Sequence, residues 1–261
     1  MADKNDKRRS EELPGILTKA ANLSAQEVTE DELKAINKYA LAPLAADEVF
    51  TFKAVLCDNE LDRDYERFTL RALQDLQKLF LGKTVIKNHS WDANDQVARI
   101  YSTELVQSEK TTKAGGELYT QLVAHCYMVK TASNADLIAE IKGGIKKEGS
   151  VGCSVTGSIC SICGTDNAKS YCRHWPGKSY EKEGGKEICT FTLTGAKDAY
   201  EFSLVAVPAQ KAAGVSKSYT GKTVFEPDEP EEIETTDKNA QLALRARLGA
   251  ARAKTNFQEE K

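Results

Sequence analysis

"KKEGSVGCSVTGSICSICG", residues 146–164, places four serines and three cysteines within nineteen positions. Three readings compete for it: a nucleophilic serine, a set of metal-binding thiols, or a small-residue strand that runs into a loop. A charged turn and Gly149 precede Ser150, and Gly152, Cys153 and Ser154 follow it. A Gly-flanked strand lets a substrate carbonyl approach the backbone closely. A nucleophilic serine also needs a base within reach and N–H donors aimed at the oxyanion. A tightly packed strand explains this segment equally well, so the choice falls to the rest of the chain.

Working outward, the neighbouring segments alternate between strand and helix signals. "SNADLIAEIKGG" (133–144) reads as a short helix, with Ser133 and Asp136 at capping-box spacing and a Gly pair at its end. "QVARIYSTELVQ" (96–107) and "ELYTQLVAHCYMV" (117–129) read as strands joined through the turn-rich "SEKTTKAGG". "KTVIKNHSW" (83–91) is a short strand running into a polar turn, and "EVFTFKAVLCD" (48–58) is a further strand. "FTLRALQDLQKLFLG" (68–82) has Leu70, Leu73, Leu76 and Phe80 on one helical face, stopped by Gly82. "TEDELKAINKYALAPL" (29–44) puts Leu33, Ile36, Tyr39 and Leu41 on a rough stripe, with Thr29 as N-cap and Pro43 as the stop. "DAYEFSLVAVPA" (198–209) is a last apolar strand ended by Pro208. The chain divides into a polar, partly helical extension (1–45), a strand-rich core (46–215) and a tail (216–261). In that tail an acidic, Pro-containing linker (226–237), expected to be disordered, precedes a basic helix (239–254).

Composition narrows the classes. At 261 residues, with 41% hydrophobic and 29% charged residues, the chain can bury a core of ordinary size. The net charge of -3 gives no global pull toward nucleic acid. No apolar run is long enough to cross a membrane, and "MADKNDKRRSEELPG" has no apolar signal core, so seven reduced cysteines are expected. An odd number of cysteines, five of them between 153 and 189, argues for metal ligation over a disulfide framework.

Histidine is scarce, at three residues. His125 lies mid-strand and reads as a packed or exposed strand residue. His89 ends an apolar strand in the turn "KNHSWDAND", a place from which functional side chains often project. Glu201 stands in an otherwise almost apolar strand. It either faces solvent with Ser203, which shares its parity, or is buried and orients a histidine.

Taken together, "VIKNHSW" (85–91), "GSVGCSV" (149–155) and "YEFSLVAVPAQ" (200–210) resemble, in order, the three signature segments of tailed-bacteriophage prohead proteases. These capsid maturation enzymes are related in fold to the herpesvirus maturation proteases. The resemblance spans about residues 48–215. It implies an α+β, strand-rich, barrel-like protease core with a few helices and flexible helical tails. It also implies a triad of Ser150 as nucleophile, His89 as general base and acid, and Glu201 as the group that holds the imidazole tautomer. The herpesvirus relatives place a second histidine where Glu201 stands. Expected substrates are the scaffold, the major capsid protein and the chain itself, inside an assembling prohead in the host cytoplasm. Self-association is a further expected contact; membrane and nucleic acid are not expected. The rival class is a non-catalytic, zinc-containing assembly scaffold or adaptor with the same fold.

The cysteine segment (159–189) reads separately. Cys160-x2-Cys163-x8-Cys172-x-His174 matches the spacing of a structural zinc site, and Gly164 directly after Cys163 suits a tight metal knuckle. Four protein ligands close the coordination sphere, so the metal is expected to be structural, with none used for catalysis. Cys153 and Cys189 are spare ligand candidates. Cys153 lies three positions from Ser150 and is expected on the opposite strand face. Cys57 and Cys126 read as small buried hydrophobes.

Overall fold

The computed structural model describes residues 28–113 and 116–216. The expected linker and basic helix of the tail, and residues 1–27 of the N-terminal extension, lie outside them. Helix α1 (Glu30–Asn37) starts where expected. Thr29 Oγ1 accepts from the Glu32 N–H, and the Glu32 carboxylate accepts from the Thr29 N–H. It ends at Asn37, well short of Pro43, so Leu41 falls outside the helix and is fully exposed, not part of an apolar stripe. Ile36 packs with Val49, Tyr101 and Tyr127 in a small cluster of its own.

Strand β1 (Val49–Asp58) leads to the short β2 (Glu66–Phe68), then to helix α2 (Leu70–Leu79) and β3 (Thr84–Lys87). The N-cap of α2 is Thr69, whose hydroxyl accepts from the Ala72 N–H. Leu73, Leu76 and Phe80 of this region are fully buried, each contributing about 1.5–3 kcal/mol of transfer free energy. Leu70, expected on the same face, is the first helical residue and lies at the edge of the contact, partly exposed. Strands β4 (Ala98–Thr111) and β5 (Leu118–Val129) pair antiparallel. Helix α3 (Ala135–Lys142) ends at Gly143 and Gly144. Its expected Ser133–Asp136 capping box does not form. Asn134 is turned back, bonding the Thr131 N–H and the Val129 carbonyl.

Strand β6 (Gly149–Cys160) is followed by the hairpin β7 (Ser179–Lys182) and β8 (Gly185–Ile188), then by β9 (Phe191–Leu204) and β10 (Gly214–Val215). β9 starts earlier than expected and stops at Leu204, before Pro208. It is the organising strand. Along one side it takes β2 in parallel through its first residues and β3 in parallel through its last, and along the other side β6 runs antiparallel. The main sheet is mixed, with strand order β10-β1-β5-β4-β3-β9-β2 and β6 attached to β9. The expected barrel is not supported. An isolated bridge sets Glu148 opposite Gly214, but no ladder of the described strands closes the sheet. The fold is thus a strand-rich α+β arrangement with few helices. Its main core lies between α2 and β1, β4, β5 and β9, around Leu56, Leu73, Leu76, Val85, Ile100, Leu122 and Phe202.

Candidate functional site

After β3 the chain reverses through Lys87–Ser90. The Ser90 N–H bonds the Lys87 carbonyl at 3.0 Å, and both central residues have positive φ, 52° at Asn88 and 54° at His89. Positive φ at both positions is the pattern of a type I′ turn. Asparagine tolerates it; the second position is most at ease with glycine, and a residue with a Cβ there costs about 1–2 kcal/mol. This chain puts His89 at that second position. Strain of this kind persists only where surrounding contacts over-determine it. Two such contacts exist. The His89 backbone N–H donates to Ser203 Oγ at 2.7 Å, and His89 Nδ1 lies 2.8 Å from Glu201 Oε1.

Glu201 is therefore not on a solvent face. Its side chain is 4% exposed, whereas the His89 ring is 44% exposed. The second alternative read from the sequence, a carboxylate buried against a histidine, matches this geometry. With the carboxylate accepting at Nδ1, the proton sits on Nδ1 and Nε2 is left as the basic, outward nitrogen. Glu201 Oε2 is buried and has no hydrogen-bond partner. The sheet register explains how Glu201 fits. Gly152 on β6 is directly opposite it, and a Cβ at Gly152 would stand 2.5 Å from Oε1. The glycine of "SVG" thus clears space for the carboxylate, a role the sequence reading did not assign. Gly149 does the same for the Phe202 ring on the core side.

Ser150 is opposite Ser203 in the β6–β9 ladder, and Ile86 of β3 is opposite Ser203 on the other side. Directly paired residues present their side chains to one face, with Cβ atoms about 5 Å apart. Ser150, Ser203, Glu201 and the overlying His89 therefore share one face of the sheet, across the end of β9. Ser150 is half-buried and no hydrogen bond joins its hydroxyl to His89. Ser203 is fully buried and its oxygen already accepts the His89 N–H. Of the two hydroxyls, only that of Ser150 is open to an incoming group. Trp91, two residues after His89, and Tyr200, the neighbour of Glu201, are exposed, and their rings lie 6.2 Å apart. Cys153 packs against the main core on the other face of β6, and burial pushes its thiol up to about 11. His125 is a strand residue bonded to Glu104 at 2.9 Å, and Cys57 and Cys126 are fully buried thiols.

The second constellation lies at the opposite end of the same strands. Cys160 ends β6, and β9 begins two residues after Cys189. Cys160, Cys163, Cys172 and His174 bring one ligand atom each to within 4.8 Å of one another, so they could hold a metal ion. A tetrahedron with metal–sulfur bonds of about 2.3 Å has edges of about 3.8 Å, so a contraction of roughly 1 Å completes it. The knuckle is built by backbone bonds. The Gly164 N–H reaches the Cys160 carbonyl, the Cys160 N–H reaches the Thr165 carbonyl, and Gly164 takes a φ of 71°. Asp166 accepts the N–H groups of Ser158 and Ala168, tying the knuckle to β6. The Cys163 sulfur lies 3.2 Å from Thr165 Oγ1, and its contacts with the Thr165 hydroxyl and backbone hold the thiol down to about 6. Cys189 is fully buried, with its sulfur 3.8 Å from that of Cys160, and burial pushes its thiol up to about 12. It lies beside the four-residue cluster as a fifth sulfur.

Comparison of the chain with family models, with curated proteins and with solved structures finds no match in any of the three.

Proposed function

We propose that the chain is a serine endopeptidase of the prohead-protease kind, processing scaffold, capsid protein and itself during capsid maturation. The observation that carries this reading is the buried Glu201 carboxylate, 2.8 Å from a His89 held in a left-handed turn on the face that presents Ser150. A strained residue fixed by two independent hydrogen bonds is a costly arrangement for a plain turn, and general-base chemistry gives it a use. Ser150 Oγ attacks the peptide carbonyl, and His89 Nε2 takes its proton. The same imidazolium then protonates the leaving amine, and water releases the acyl group by the reverse sequence. Glu201 holds the tautomer and stabilises the imidazolium. The gap between Ser150 and His89 closes on substrate binding, as catalytic hydrogen bonds commonly tighten only in the complex.

The four-residue Cys/His cluster is proposed to hold zinc in a structural role. All-protein N/S ligation at this spacing suits zinc, and the cluster clamps the far ends of the two strands that carry Ser150 and Glu201. Bound there, the metal supplies folding free energy to a polar segment with little core of its own. Residues 216–261 are proposed as a docking and release segment for delivery into the prohead.

A second reading, a zinc-containing assembly scaffold without activity, draws on the missing Ser150–His89 hydrogen bond. Mass spectrometry separates the two. Wild-type chain, Ser150→Ala and His89→Ala are each incubated with scaffold protein, and the products are weighed. Cleavage by the wild type alone supports the peptidase. Uncleaved scaffold protein in all three incubations would leave the scaffold reading, and fragments from Ser150→Ala equal to those from the wild type would remove Ser150 as the nucleophile.

A further inference from the structure

We propose that Ser203 is the positioning residue for His89. Its hydroxyl fixes the backbone conformation that aims the imidazole, a role distinct from the tautomer control assigned to Glu201. The inference rests on the peptidase reading for its kinetic part and on geometry alone for its structural part.

Ser203 occupies the most constrained position near the site. It lies in β9 between two paired strands, opposite Ile86 of parallel β3 and opposite Ser150 of antiparallel β6, and it is fully buried. A hydroxyl buried there needs a partner. Its partner is the His89 N–H at 2.7 Å. That N–H lies between the two left-handed residues, at the centre of the turn that the Ser90 N–H closes on the Lys87 carbonyl, so the Ser203 bond ties the middle of the turn to β9 with His89 at a φ of 54°. The neighbouring Asn88 N–H goes to the Leu204 carbonyl at 2.9 Å, so two successive N–H groups of the turn are docked onto two successive residues of β9. β9 thereby sets both ends of the histidine. Ser203 takes its backbone and Glu201, two positions earlier on the same strand, takes its ring. Because Ser150 is the ladder partner of Ser203, the residue that locates the base is also the one that faces the nucleophile. A small hydroxyl meets all three demands. Alanine removes the acceptor, cysteine offers a larger and weaker one, and threonine keeps the oxygen on a strand-compatible side chain.

The test uses the full chain as wild type, Ser203→Ala and Ser203→Thr. Nitrogen-15 NMR reads the tautomer and the Nδ1–H signal of His89, and amide hydrogen exchange reads the His89 N–H. Hydrolysis of a cleavable peptide gives kcat and KM. The expected result is a slowly exchanging His89 amide and a distinct Nδ1–H signal in the wild type. Both are lost in Ser203→Ala and kept in Ser203→Thr. kcat falls about 10- to 100-fold in Ser203→Ala with KM little changed, the scale of a misplacement of about 1 Å, and Ser203→Thr recovers most of it. A fast-exchanging His89 amide in the wild type overturns the inference without any variant having to fold. So does a Ser203→Ala chain whose His89 amide and ring signals are unchanged. A wild type that cleaves nothing, yet shows the NMR changes, leaves Ser203 as the positioning residue and removes the peptidase reading instead.

Discussion

Gly152→Ala is the smallest change expected to disable the site. The added Cβ would stand 2.5 Å from Glu201 Oε1 and 3.3 Å from Cδ, while ordinary contact begins near 3.4 Å. The carboxylate would therefore have to retreat by about 0.9 Å. It has little freedom to do so gently, because Glu201 is buried and the carboxylate's hydrogen bond among the described residues is the 2.8 Å contact to His89. A retreat of that size stretches the contact beyond hydrogen-bonding range. Overpacking costs about 1–3 kcal/mol, and the loss of glycine freedom in the unfolded chain returns about 0.4–1 kcal/mol. The net is roughly 1–2 kcal/mol, a fall in Tm of about 2–8 °C for a domain of this size. Activity should fall much further, by about 10²–10⁴ in kcat, because the imidazole loses the group that fixes its tautomer. Thermal melting and peptide hydrolysis on the same preparation separate the two effects. A Gly152→Ala chain with wild-type kcat would refute the role given to Glu201, and one with wild-type Tm as well would refute the packing itself.

Three further outcomes follow from the same geometry. His89→Gly and His89→Ala should both be inactive, but the glycine variant should be more stable by about 1 kcal/mol, because only alanine keeps the cost of a positive φ; equal denaturant midpoints would contradict the strain. Burial pushes the carboxyl of Asp58 up to about 6, above its ordinary 3.8, with Tyr119 and the Glu60 N–H as its bonding partners. The folded state then holds a proton between about pH 4 and pH 6 that the unfolded chain releases. The stability from this group is present below that window and is lost as pH rises through it, about 3 kcal/mol in all; burial also pushes the Asp62 carboxyl up to about 6, so Asp58→Asn should lessen the wild-type dependence of Tm on pH there without abolishing it, and an unchanged slope would count against it. Protein purified without chelator should carry one zinc per chain, halved or worse by Cys163→Ser but untouched by Cys189→Ser, and chelation should raise hydrogen exchange first in residues 159–189; elemental analysis finding no metal would end the zinc proposal.

What the sequence disclosed, and what it hid, follows from the range of the interactions. Thr29 with Glu32, and the Leu73–Leu76–Phe80 face, were legible because caps and helical periodicity act within one or two turns. Leu41 was misplaced because periodicity does not mark where a helix stops. β2 and β10 are too short to carry a pattern, and β9 gains its importance from partners far away in the chain. Closure of the sheet depends on which edges meet, and no local pattern reports that. In the site, His89 and Glu201 could be singled out by position and by polarity in an apolar strand. Their contact, between residues more than a hundred positions apart, could not. Asn88 was the overlooked signal, a residue suited to positive φ just before the histidine. The shared parity of Glu201 and Ser203 fits either a solvent face or a covered one, because parity alone does not say which face the turn will cover.

The most direct test of the central claim is labelling of the full chain with a fluorophosphonate, which bonds to a serine only when that serine is activated as a nucleophile. Digestion and mass spectrometry then locate the adduct. The account predicts a single adduct on Ser150, absent from His89→Ala and reduced in Gly152→Ala. An unlabelled wild type, or a label on another residue that survives in Ser150→Ala, would contradict it.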